Sequence, residues 1–193
     1  GFGKDGDFNE GRFIEVVNAD LAKNLGNLLN RNLNMIKKYC GGSVPSITSE
    51  DVPDDNPLKV IGLQLGEQVK ANYEALAFNQ ACEGIMRLSQ ACNKYVDEQA
   101  PWSLYKQGQQ QEVEQVLYVI LESVRLAAYL LSPVIPNISS DIYQQLGFGI
   151  DFNNQIDIAN SVPFAVHGKW GLLSSEQKLG KAQPIFQSIE LKN

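Results

Sequence analysis

Asn27 and Arg31 stand four residues apart in the segment NADLAKNLGNLLNRNLNMIKK, residues 18–38, so on a helix an amide and a guanidinium project side by side. That pair offers the donors and acceptors that suit base edges, phosphates or a partner's carboxylates. At about 100° per residue, Leu21, Leu25, Leu28, Leu29, Met35 and Ile36 share one arc, and Asp20, Asn27, Arg31, Asn34 and Lys38 fall opposite. The spacing predicts a helix with a core side and a presented side. A polar helix face is usually only a solvated one, so this segment alone assigns nothing. Two residues break the pattern. Gly26 costs roughly 1 kcal/mol relative to alanine inside a helix, which points to a closely packed neighbouring helix. Asn32 lies within the apolar arc and needs a buried hydrogen-bond partner.

A second distinctive group is YVDEQAPW, Tyr95 to Trp102, where a helix ends near Gln99 and Pro101 fixes the backbone that presents an indole. Trp102 reads in two ways. It is either a core-edge anchor for the next helix or a platform on which an unpaired base stacks, worth roughly 1–3 kcal/mol per base.

Other chemistry is poorly served. His167 is the only histidine, and no nucleophile-elbow pattern surrounds it. Cys40, Cys82 and Cys92 cannot pair completely, contain no CxxC, and read as reduced, buried thiols rather than as metal ligands. Neither GxGxxG nor GxxxxGK[ST] occurs, and Gly62 and Gly66 read as helix-packing positions. Asp97 and Glu98 suit a capped or solvated helix end. No catalytic residue, no metal site and no cofactor is expected in this chain. The net charge of −6 argues against bulk phosphate neutralisation but leaves local recognition open. Acid gathers in Glu50, Asp51, Asp54 and Asp55, while Lys37, Lys38, Lys178 and Lys181 lie elsewhere. No run approaches the roughly 18 apolar residues that a membrane span needs, and the opening GFGKDGDFNEGRF lacks a signal peptide's apolar core.

The elements that must position these residues are helical. Asn9 is placed to cap a first segment through Val17 that runs into the Asn18 to Lys38 helix, which ends near Cys40 before Gly41-Gly42. GGSVPSITSEDVPDDNP forms a surface connection, and Asn56-Pro57 supplies the next cap and first-turn proline. Residues 58–98 are too long for one helix and should break between Asn72 and Ala77. A helix after Pro101 carries Val113, Val116, Leu117, Ile120, Val124, Ala127, Ala128 and Leu131 on a core face and ends at Ser132-Pro133. Pro136 opens another through Gln145, with Gly147 beyond it. The expected architecture is all-α: a bundle of four or five main helices over residues 1–147, of which 1–8 form a junction, and an irregular tail over residues 148–193.

The segments NADLAKNLGNLLNRNLNM, YVDEQAPWSLYK, LAAYLLSPVIPNISSDIYQQLG and WGL…KAQPIFQSIE, in this order and spacing, resemble the methionyl-tRNA synthetase family in the part that follows its catalytic domain. FGKDGDFNEGRF resembles the family's junction beyond the loop that closes the ATP site, so the likeness covers essentially the whole chain. It implies the anticodon-binding helical bundle of class I aminoacyl-tRNA synthetases. It further implies that Asn27, Arg31 and Trp102 recognise a CAU anticodon, with Pro101 holding the indole's approach. Lys23 stands where the family often has asparagine, and so a phosphate contact could replace a base contact there. The HIGH-like and KMSKS signatures are absent, so the resemblance implies ATP, magnesium and methionine ligation only for a catalytic domain of the same polypeptide, the chain's second partner beside the tRNA(Met) anticodon stem-loop. The implied setting is a bacterial cytoplasm or a plant chloroplast or mitochondrion. A helical protein-interaction scaffold and the anticodon domain of another class I synthetase are the alternatives.

Overall fold

Helix starts follow side-chain chemistry. The Asn9 carbonyl oxygen accepts from the Arg12 amide at 2.8 Å, and that of Asn56 accepts from Leu58 at 3.1 Å and Lys59 at 3.3 Å, with Pro57 in the first turn. The computed structural model describes residues 9–154 and 162–190; the expected junction over residues 1–8 lies outside them. In chain order the helices are α1 (Glu10–Val17), a π-helical stretch (Asn18–Gly26), α2 (Asn27–Tyr39), α3 (Pro57–Glu74), α4 (Phe78–Gln99), α5 (Pro101–Lys106), α6 (Gln110–Leu131), α7 (Pro136–Gln145) and the single turn α8 (Phe164–His167). Among the described residues the only β pairing is one bridge between Ser43 and Lys178. The fold is thus the helical bundle that periodicity predicts. The break between α3 and α4 falls at residues 75–77, inside the expected window.

α6 differs from its predicted form. Every residue from Val116 to Ala128 is buried, on all sides of the helix rather than on one face. The reason is its position: α2, α3, α4, α5 and α7 all pack against it, so it is the bundle's axis. Phe78, the first residue of α4, is exposed.

Being central, α6 carries its charged residues inside. Glu122 and Arg125 are fully buried and paired, with Arg125 Nε and Nη2 donating to Glu122 Oε1 at 2.9 and 2.6 Å. Burial alone would lower the Arg125 pKa, but the Glu122 carboxylate and then the Tyr143 hydroxyl outweigh it and hold the guanidinium charged. The remaining capacity of both groups goes to the tail. Arg125 Nη1 donates to the His167 carbonyl at 2.7 Å and Nη2 to that of Lys169. Glu122 accepts from the amides of Gly171 at 2.8 Å, Leu172 at 3.2 Å and Leu173 at 3.1 Å. Between these contacts Trp170 is buried, its indole lying where a Cβ on Gly62 would stand, and the Gly168 carbonyl occupies the corresponding space at Gly66. Both α3 glycines are packing positions, and the element they receive is the tail.

Two outcomes follow from this core. Arg125→Met should cost about 3–5 kcal/mol in urea unfolding, because Glu122 stays buried without its counter-charge; a loss below about 1 kcal/mol would show the pair is dispensable. The second concerns pH. All three cysteines are free; Cys92 is buried, while Cys40 and Cys82 are only half-buried, against expectation. Burial pushes the Cys40 and Cys92 thiols from 9.0 up to about 12, reinforced at Cys40 by the Glu114 charge and opposed at Cys92 by a hydrogen bond with Ser123. A folded-state pKa raised above the unfolded one gives stability that is present below the unfolded pKa and lost as pH climbs toward the folded value. The urea midpoint should therefore hold up to about pH 9 and fall from there toward about pH 12; a flat profile would contradict the assignment.

Candidate nucleic-acid interface

The helix that carries Asn27 and Arg31 is not α-helical throughout. Asn18–Gly26 winds as a π-helix, and the Asn27 amide still bonds the Ala22 carbonyl five residues back as α2 begins. The projection at about 100° per residue therefore holds from Asn27 onward and fails before it. Lys23, one turn behind Asn27, is exposed within the π-helical stretch. Leu33, absent from the predicted arc, is buried, whereas Leu21 and Met35 are half-buried. Gly26 does face a close neighbour, though it is Ile185 of the tail and the Leu21 carbonyl rather than another helix.

Polar anchors orient the stretch. Asn93 of α4 donates to Asn24 Oδ1 at 2.6 Å. Asn32, fully buried, donates to the Leu117 carbonyl of α6 at 3.1 Å and so finds the partner its position demands; its Oδ1 has none among the described residues. With Asn32 turned inward, the opposite edge of α2 is presented. Asn27 is exposed and no hydrogen bond to another described residue occupies its amide.

Arg31 is not free in the same sense. Its Nη2 donates to Asp97 Oδ1 at 3.1 Å across an exposed pair, with the two side chains 36% and 67% accessible. The carboxylate that the sequence left open as a partner is thus supplied by the end of α4. Three residues later the chain turns through Ala100, a non-glycine residue at φ 43°, and α5 starts at the buried Pro101. Left-handed backbone at alanine is strained and persists only where the surroundings impose it. Trp102 follows directly with 37% of its surface exposed. One turn further on, Tyr105 stacks on Tyr39 with ring centroids 4.3 Å apart, and Gln110 Nε2 donates to the Tyr39 carbonyl at 3.0 Å. The Arg31–Asp97 and Tyr39–Tyr105 contacts bracket Trp102 in sequence and bind both of its flanks to α2, so the turn that carries the indole is tied to the Arg31 to Tyr39 half of that helix.

The structure thus ties the turn that carries Pro101 and Trp102 to the helix of Asn27 and Arg31, and leaves Lys23 exposed in the π-helical stretch that precedes that helix. Sequence reasoning missed Asp97, which it read as a helix-end charge, and the Tyr39–Tyr105 stack. The signal for the latter was present: Tyr105 follows Trp102 by three residues, the spacing that shares a helix face. Because the ion pair is exposed, Asp97→Asn should change unfolding stability by less than about 1 kcal/mol. A loss of several kcal/mol in urea titration would make the pair a structural element instead.

Residues 64–190, more than half of the chain, match the family described as the anticodon-binding domain of tRNA ligase. Methionine–tRNA ligase of Nostoc sp. is 69% identical over 189 residues, 98% of this chain and 35% of that protein. The chloroplastic/mitochondrial methionine–tRNA ligase of Arabidopsis thaliana is 42% identical over 98% of this chain and 30% of its own length. The crystal structure of free Mycobacterium tuberculosis methionyl-tRNA synthetase superposes with a TM-score of 0.81 at 30% identity, covering 98% of this chain and 37% of that one. The chain spans about a third of the length of the curated relatives it matches. Trp102 lies within the span of the family match, whereas Asn27 and Arg31 precede it and are covered only by the methionyl relatives. Fold, family span and full-length similarity agree: this chain belongs to the anticodon-binding domains of tRNA ligases, in the form found in methionine–tRNA ligases.

Proposed function

We propose that this chain reads the CAU anticodon loop of methionine tRNAs on behalf of a catalytic domain, in the same longer polypeptide, that ligates methionine to tRNA with ATP and magnesium. The observation that carries the reading is the half-exposed Trp102 indole, clamped on both sides to the helix that presents Asn27 and Arg31. A planar apolar surface held still at a protein surface suits stacking by an unpaired base, since the ordering cost has been met by the fold. Asn27 supplies a free amide able to donate and accept at a base edge. Arg31 keeps the donors that Asp97 does not use, and its pairing fixes the guanidinium plane. Pro101 sets where the indole sits. Lys23, an exposed point charge in the π-helical stretch, is suited to a flanking phosphate rather than a base.

Trp102→Ala should weaken binding of a CAU stem-loop by about 1–3 kcal/mol while circular dichroism and unfolding show an intact bundle. Equal binding by variant and parent would remove the stacking role. A panel of stem-loops differing only at the anticodon decides whether CAU is preferred; indifference across the panel would assign the interface to another tRNA or to a protein.

A further inference from the structure

Beyond the anticodon-reading face, α2 continues into a cleft that no part of that reading uses. Asn34 and Lys37 line one wall, Gly41 and Gly42 its end, and Leu179, Lys181 and Ala182 of the tail the other wall, enclosing about 530 Å³. The acids of this chain outnumber its bases, 22 to 16, yet no acid lines this cleft. Among the described residues neither Lys37 nor Lys181 has a carboxylate within ion-pair distance, in contrast to Lys59, Lys70 and Lys94. Asp141 lines the adjoining cleft on the far side of Lys181 without pairing with it. The next lysine of α2, Lys38, is likewise unpaired by acid and stands 5.2 Å from the centre of the Tyr39 ring. Two exposed ammonium groups facing a common space repel one another, and their separation is set by two different chain segments; an anion between them relieves that repulsion.

The end of the cleft is shaped for close approach. Gly41 and Gly42 take φ values of +70° and +88°, and a Cβ at either would meet nothing within 4 Å. A bulky oxyanion can therefore lie against backbone. The position of the cleft indicates which polyanion. Lys37 is six residues beyond Arg31, about 9 Å along the helix, and Asn34 lies between them on the presented side. Lys37 is turned about 120° from Arg31 around the helix, so a strand leaving a loop bound at Asn27, Arg31 and Trp102 reaches the cleft by crossing the presented face of α2 at Asn34.

We infer that the Lys37–Lys181 cleft is a second, sequence-independent subsite that takes backbone phosphates of the RNA strand flanking the loop. The inference rests on the anticodon reading for its register, although not for its chemistry. Lysine suits this task as a mobile point charge that neutralises phosphate without demanding a particular base. The tail strand 178–182 then has a direct part in RNA binding, in addition to its packing role.

The test compares the 193-residue chain with its Lys37→Gln/Lys181→Gln double variant, measuring affinity for a CAU hairpin and for the same hairpin with a scrambled loop across a salt series. Both lysines are exposed, so the fold should persist. The expected result is an equal fold-loss for both hairpins and a log Kd against log salt slope shallower by about two. An unchanged slope and affinity overturns the proposal. So does a loss confined to the CAU hairpin, which would make the cleft a base reader, or competition by poly-glutamate as effective as RNA of equal charge, which would make it a protein-docking site. Trp102→Ala measured alongside separates the two readings: if it leaves affinity for the CAU hairpin untouched the stacking assignment fails, while the slope change at the lysines still decides the cleft.

Discussion

The tail of this protein is held by one buried ion pair. Glu122 and Arg125 lie three residues apart near the middle of α6, and between them they satisfy two carbonyls and three amides of residues 167–173. A buried pair is a poor source of net stability, because desolvating two charges offsets most of their attraction. Its value is directional. A carboxylate accepting three successive amides and a guanidinium donating to carbonyls just before them specify one register of an irregular segment that has no ladder of its own. From that fixed point follow the placement of Trp170 over Gly62, the course of the chain along α2, and the contact of Ile185 with Gly26. The wall that Lys181 adds beside Lys37 lies on the same stretch of tail.

Local chemistry makes much of this fold legible in the sequence. Asn9, Asn56 and Pro57 mark helix starts with side chains whose only favourable local use is to cap, and the break after Glu74 follows from the improbable length of a single helix. Non-local effects are not legible in the same way. The all-round burial of α6 cannot be read from one face of apolar residues, because the partners on its other sides include a tail without periodicity. The π-helical stretch Asn18–Gly26 docks against α4 through Asn24 and Asn93, two asparagines whose sequence context is ordinary. At the site, Asn27, Arg31 and Trp102 could be named from residue type and family order. Asp97 and Tyr39 could not, since their significance lies in which helix they meet.

The division of the family match sharpens this. It begins within α3 and takes in α4 to α8, including Trp102, but leaves out α1, the π-helical stretch and α2. The matched span therefore leaves out the helix of the amide and the guanidinium, which contacts from Asn24–Asn93 to Tyr39–Tyr105 tie to it. On the proposed reading, the two groups that would select a base stand outside the matched span, while the stacking platform lies within it.

Asn32 gives that junction an angular index. An apolar helix face can roll a few tens of degrees against its neighbour at small cost, since packing contacts are exchanged for similar ones. A single amide donating to the Leu117 carbonyl cannot be exchanged in this way, because rotation would leave the Asn32 amide dry and unpaired. The bond acts like the key on a shaft. It sets the heading of Asn27 and Arg31 about the α2 axis independently of what is bound there, so the direction in which the surface faces is already encoded in the dry interior.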